Sequence, residues 1–145
     1  MSLRVEFSQH SAQIDSAYIN QFHKLLPKSA EIKNIKIAAY SSVEGTPEIN
    51  EKLQKERAQN IVNLLRERFN GDYHYSLTLA TSLQQFKDSI AETSYDSLKI
   101  KSLSQLQLYL KDEVLSTALE PFLCQGRFAQ VDLVLKNKIG NENIA

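Results

Sequence analysis

Four segments of the chain alternate apolar and polar positions with the period of two that marks a strand buried on one face. They are Leu3-Val5-Phe7, Ile35-Ile37-Ala39 with Lys36 and Tyr40 on the opposite side, Tyr73-Tyr75-Leu77-Leu79, and Ala129-Val131-Leu133-Leu135. A sheet covered on both faces would read as unbroken apolar runs, so the alternation predicts one covered face and one wet face. Between the strands the spacing changes to threes and fours. Ile14, Tyr18, Ile19, Phe22, Leu25 and Leu26 form one helical stripe that Pro27 ends. Leu53, Ala58, Ile61, Val62, Leu65 and Phe69 form a longer one, opened by Thr46 as N-cap and Pro47 at the first helical position. Asn70-Gly71-Asp72 supplies turn chemistry suited to its end.

From Ser82 to Gln125 the third and fourth strands are separated by far more chain than a plain loop needs. Leu83-Phe86-Ile90, Leu103-Leu106-Leu110 and Leu115-Leu119-Leu123 predict helices there, so residues 82–125 read as a helical insertion. Excess apolar area on the 103–123 stretch would mark either a docking surface or plain core. The tail from Asn137 to Ala145 lacks a pattern and is expected to fray. The order β-α-β-α-β-(helical insertion)-β predicts an α/β (α+β) two-layer sandwich with a mixed four-stranded sheet, its first crossovers parallel.

The chain has 145 residues, one domain's worth, with 17 Lys plus Arg against 17 Asp plus Glu and a formal net charge of +0. That balance excludes the basic excess of a general nucleic-acid or anionic-membrane binder. No apolar stretch reaches the roughly 20 residues of a membrane helix, and the first residues do not resemble a signal peptide. The start is therefore that of a cytoplasmic protein or of a domain excised from a longer precursor. One cysteine, Cys124, excludes an internal disulfide and a cysteine-based zinc site, and its place beside Leu123 suggests a small buried residue. His10, His23 and His74 have no ligand spacing, the glycines form no phosphate loop, and no nucleophile elbow is present. No metal, cofactor or catalytic machinery is expected.

The informative stretch is Ala39-Tyr40-Ser41-Ser42-Val43-Glu44-Gly45-Thr46 and the helix behind it. A loop at the carboxyl end of a strand that feeds a helix N-terminus offers free N–H groups and a positive dipole end to an anion. Asn50 and Arg57 lie seven residues apart, within about 20° on one helix face, and Leu53 and Ile61 share that stripe. A guanidinium in an apolar stripe is costly without a partner. It grips either a ligand carboxylate or an internal group, such as Glu44 or a carbonyl of a neighbouring strand.

These residues resemble the OmpA-like (OmpA/MotB C-terminal) domain of bacterial envelopes, in the form common in Bacteroidetes. The family pattern is a strand, then Gly-His/Tyr-Thr-Asp-x-x-Gly-Ser, then Asn-x-x-Leu-Ser-x-x-Arg-Ala, and its spacing is matched without a gap by the positions Ala39 to Thr46 followed by Asn50, Leu53, Arg57 and Ala58. Val5, Phe7, Ser11 and Ile14 resemble the opening strand and turn. The likeness covers about the first 80 residues well and the stretch from Arg127 to Leu135 loosely. It implies that residues 1–145 are one non-catalytic module, in the periplasm and tethered to the outer membrane through parts of its precursor. The module would hold peptidoglycan through the diaminopimelate of the stem peptide, with Arg57, Asn50, Ser41, Ser42, Glu44 and Thr46 as binding residues. In the family an Asp meets the ligand ammonium and the Arg meets its carboxylate. Here the Asp position is Ser42, which has no charge, and Glu44 is placed to supply one if the loop bends toward the site. The other reading is an OmpA-like interaction module that has lost the muropeptide site and binds an envelope protein or itself.

Overall fold

The computed structural model describes residues 1–27, 29–69 and 74–136. The Asn70-Gly71-Asp72 turn, Tyr73 and the tail from Asn137 lie outside them. The elements run β1 (Ser2–Glu6), α1 (Ser16–Leu25), β2 (Ile32–Ser41), α2 (Pro47–Arg68), β3 (His74–Thr81), α3 (Leu83–Ile90), α4 (Leu103–Tyr109), α5 (Glu113–Leu123) and β4 (Phe128–Leu135), with a 3₁₀ turn at Asp96–Ile100 before α4 and another at Cys124–Gly126 before β4. The four strands form one mixed sheet in the order β1-β4-β2-β3. β2 and β3 are parallel, and β4 runs antiparallel to both β1 and β2.

Burial follows the alternation. Leu3, Val5, Ile35, Ile37, Ala39, Ala129, Val131 and Leu133 are buried on one face and meet Phe22 of α1 and Ala58, Ile61, Val62 and Leu65 of α2. The opposite face carries Lys36, Tyr40, Phe128 and Arg4, where Tyr40 stacks on Phe128 at 4.6 Å and the Arg4 guanidinium lies 3.8 Å from the Phe128 ring centre. This is the two-layer arrangement that the alternation predicts.

The 82–125 region is helical, and its leucines form a core of their own. Leu106, Leu110, Leu119 and Leu123 bury against Phe86, Ile90, Leu98 and Val43. These four leucines are thus core, while Leu108, Tyr109 and Val114 stay exposed. Val43, in the loop after β2, joins that cluster to the loop beside the sheet end. A buried serine clasps the same place: Ser82 Oγ donates to the carbonyls of Ser41 (2.9 Å) and Gly126 (3.1 Å).

Four details correct the sequence reading. Ile14 precedes α1, which starts after Asp15 because the Asp15 carboxylate caps the Ala17 N–H at 2.8 Å. Leu25 is on the outer side of α1. Tyr75 and Leu77 alternate like core residues yet remain 42% and 44% exposed on edge strand β3, whereas the other edge strand, β1, buries Leu3 and Val5. Cys124 is exposed rather than buried, at the turn between α5 and β4.

Candidate functional site

Helix α2 begins as its sequence dictates. Thr46 Oγ1 accepts the Ile49 N–H at 3.3 Å, Pro47 fills the first position, and Glu48 lies in the first turn where the dipole favours an acid. Gly45 enters the helix at φ +95°, and a Cβ there would stand 2.9 Å from Asn50 Oδ1. Asn50, Gln54 and Arg57 follow on one face of α2, all buried. Gln54 Nε2 donates to Ser41 Oγ at 2.9 Å, joining helix to strand end.

Arg57 is fully buried and is satisfied by main-chain oxygens. Its Nε donates to Ser11 O at 2.9 Å, Nη1 to Tyr40 O at 2.8 Å and Nη2 to Ser8 O at 3.2 Å, with the Phe7 ring centre 5.0 Å from the guanidinium. The carbonyl partner, rather than Glu44, is therefore the internal one. Arg57 braces the β1–α1 loop against the end of β2. Burial, helped by the nearby charge of Arg127 and opposed by Glu44, pushes its pKa down to about 10, so it stays a cation at neutral pH.

Glu44 bends back to a different arginine. Its Oε1 accepts from Arg127 Nη2 at 2.7 Å, and Glu120 of α5 takes both Nη1 and Nη2 of Arg127, the latter through Oε2 at 3.0 Å. Arg127 is 4% exposed at its side chain. Desolvation lowers its pKa, but the hydrogen bonds and charges of Glu120 and Glu44 outweigh this and hold it above the ordinary value.

A cleft of about 60 Å³ lies between the β2–α2 loop and the β1–α1 loop. Ser41, Ser42, Glu44, Asn50, Arg57 and Arg127 line it, with Gln9 and His10 along the other side. His10 adopts φ +58°, a conformation uncommon for a side-chain-bearing residue. Three buried polar atoms of this lining have no hydrogen-bond partner: Asn50 Nδ2 and Arg127 Nε, both donors, and Glu44 Oε2, an acceptor. A cleft of this size takes a few waters, or the ammonium-and-carboxylate end of one amino acid. Gln9 and Glu44 also border a wider cavity of about 350 Å³ that runs along α5 past Ser116 and Thr117.

Of the six residues anticipated from the sequence, Ser41, Ser42, Glu44, Asn50 and Arg57 meet around this cleft, whereas Thr46 spends its hydroxyl on the helix cap. Arg127 was not anticipated. The signal for it is local: a lone arginine just before an alternating strand, seven residues after Glu120. Among the described residues no group of acidic, histidine or cysteine side chains is arranged to hold a metal, and no helix is long and apolar enough to cross a membrane. Comparison with protein-family models gives no match, and comparison with curated proteins likewise gives none.

Proposed function

We propose that this chain is a non-catalytic envelope module that takes the zwitterionic end of diaminopimelate, in a peptidoglycan stem peptide, into the cleft beside Arg57. In this reading it works in the periplasm and anchors the outer membrane to the wall through the rest of its precursor. The observation that carries the reading is the set of three unpaired buried atoms. Leaving such groups without partners costs about 1–3 kcal/mol each, and donors and an acceptor on residues that line one cleft suit a ligand that carries both a carboxylate and an ammonium. In this reading Asn50 Nδ2 serves the carboxylate, the charges of Arg57 and Arg127 favour it, and Glu44 Oε2 serves the ammonium. Glu44 thereby stands in for the acid that Ser42 lacks. Arg57 contributes positive charge and holds the loop that forms the far side of the cleft, and the wider cavity along α5 gives the remaining peptide room.

The test is a titration of a diaminopimelate-containing muropeptide into the wild type and Asn50→Asp, followed by NMR. Asp is nearly isosteric, so a carboxylate faces the ligand's own; because Asn50 is buried in a cleft it shares with Glu44, the new charge also lowers stability, and the two proteins are compared at a temperature where unfolding curves show both folded. Binding weakened at least tenfold is expected. No binding at millimolar ligand, or equal binding by both proteins, rejects the proposal.

A second reading, the interaction module without a muropeptide site, is favoured by one feature: Arg57 and Glu44 already have internal partners. It expects no muropeptide binding and, in its self-associating form, a sedimentation coefficient that rises with concentration. A strictly monomeric protein removes that form.

A further inference from the structure

β3 closes the sheet on one side, and among the described residues no strand pairs with its outer edge. The Ser82 N–H, which continues β3, donates to Ser41 O of β2 at 2.9 Å. Main-chain groups alternate in direction along a strand, so those of Ser76 and Thr78 also turn toward β2. Those of Tyr75, Leu77 and Leu79 point outward as open donors and acceptors. The two edges of the sheet are guarded unequally. β1 is five residues long and carries Arg4 and Glu6, paired at 3.7 Å, charges of the kind that obstruct another strand. β3 is eight residues long, pairs with β2 without a register shift, and contains no Pro, Lys, Arg, Asp or Glu. Its most exposed stretch is His74 to Thr78. There Tyr75 and Leu77 lie beside Ile35 and Ile37, on the helix-covered side of the sheet.

We propose that β3 pairs antiparallel with β3 of a second copy of this chain, about a two-fold axis at Ser76, joining two sheets into one of eight strands. The pairing is independent of what the cleft binds. Self-complementarity selects a second copy as the occupant. Only registers that set odd positions opposite odd positions match the outward main-chain groups and keep the apolar side chains on one face. Centring on Ser76 lays the exposed stretch on itself, so that Tyr75 meets Leu77 of the second copy in both directions and Ser76 meets Ser76. Both helix layers then lie on the same side of the joined sheet. Charge agrees, because β3 carries no acidic or basic pair to repel and the whole chain has a formal net charge of +0. The edge hides roughly 800–1,000 Å² over the two copies, the size of a weak and reversible interface.

The experiment reads both association and register. Sedimentation of the wild type from about 10 to 500 µM is expected to pass from monomer toward dimer, in keeping with that small interface. Leu77→Lys, which gives β3 the guard that β1 has, is expected to weaken the dimer about tenfold or more, and Leu108→Lys, on exposed α4, to leave it unchanged. Ser76→Cys, made together with Cys124→Ser to remove the exposed thiol, fixes the register. Across the axis the two Cα atoms are about 4.5 Å apart, within reach of a disulfide. Oxidised glutathione is therefore expected to link Ser76→Cys into dimers, and Thr78→Cys, which faces His74 of the second copy, far more slowly. A wild type that stays monomeric throughout overturns the proposal. So does a dimer that Leu77→Lys leaves intact, or equal linking of the two cysteine variants. Should Leu77→Lys fail to fold, hydrogen exchange on the wild type decides. The Tyr75 and Leu77 amides are expected to slow severalfold as concentration rises while Ser76 does not change, and exchange independent of concentration overturns the proposal.

Discussion

Replacing Arg57 by alanine tests whether the guanidinium is first a brace or first a ligand grip. The substitution removes three charge-assisted hydrogen bonds, to the carbonyls of Ser8, Ser11 and Tyr40. Such bonds are worth about 1.5–3 kcal/mol each, a gross loss of roughly 5–9 kcal/mol. Two effects oppose it. Burying a guanidinium carries a desolvation penalty of several kcal/mol, of which the depressed pKa of Arg57 is the trace, and the substitution removes that penalty. Ser8 is exposed and Ser11 and Tyr40 are half-buried, so water can replace part of the lost donors at all three carbonyls.

The net loss expected is about 3 kcal/mol, out of the 5–15 kcal/mol a domain typically has, so the variant still folds. Urea unfolding followed by circular dichroism should show a lower midpoint with the slope unchanged, and thermal unfolding a midpoint lower by about 10 °C. Arg57→Lys keeps the charge but not the planar fork and should recover only part of the loss. If Arg57→Ala costs less than about 0.5 kcal/mol while muropeptide binding disappears, the bracing argument is wrong and the guanidinium belongs to the ligand.

Further outcomes follow from the same contacts. Gly45→Ala forces a side chain into the left-handed region beside Asn50 Oδ1 and should cost about 1–2 kcal/mol, read by urea unfolding, with a weaker muropeptide affinity because Asn50 is displaced. Gly126→Ala sets a Cβ 2.1 Å from Ser82 Oγ, which must then give up the carbonyls of Ser41 and Gly126; a loss of about 2–3 kcal/mol is expected in the same assay. Leu119→Ala should cost about 2–5 kcal/mol, and because Leu119 belongs to the insertion's own cluster, limited proteolysis should cut within residues 83–123 before it reaches the sheet. Val114→Ser, at an 80% exposed position of α5, should change stability by less than about 0.5 kcal/mol in thermal unfolding.

How much was legible in the sequence depends on what kind of physics decided each feature. The strands, the start of α2 and the leucine stripes of the insertion were readable because they answer to local rules, a period of two, a capped turn, a period of 3.6. Tyr75 and Leu77 misled for the same reason: alternation reports which way side chains point and not how well that part of the face is covered, and of the two edge strands β1 buries its alternating residues while β3 leaves these exposed. Arg57 stands out in the sequence as a charge in an apolar stripe, and Gln54, four residues after Asn50 on the same face, is legible by the same argument. The partners were another matter. Ser8 and Ser11 lie 49 and 46 residues from Arg57, and Glu44 lies 83 from Arg127, distances at which spacing along the chain carries no information. A charge pattern states a demand for a partner, and folding decides which group meets it. The cleft is defined by what folding left over, Asn50 Nδ2, Glu44 Oε2 and Arg127 Nε, and such a remainder exists only after every internal pairing has been made. The resemblance to an envelope module pointed to the loop and the helix face as a proposal only. It gave no hint that an arginine before the last strand, held by the insertion, would carry one of the free donors.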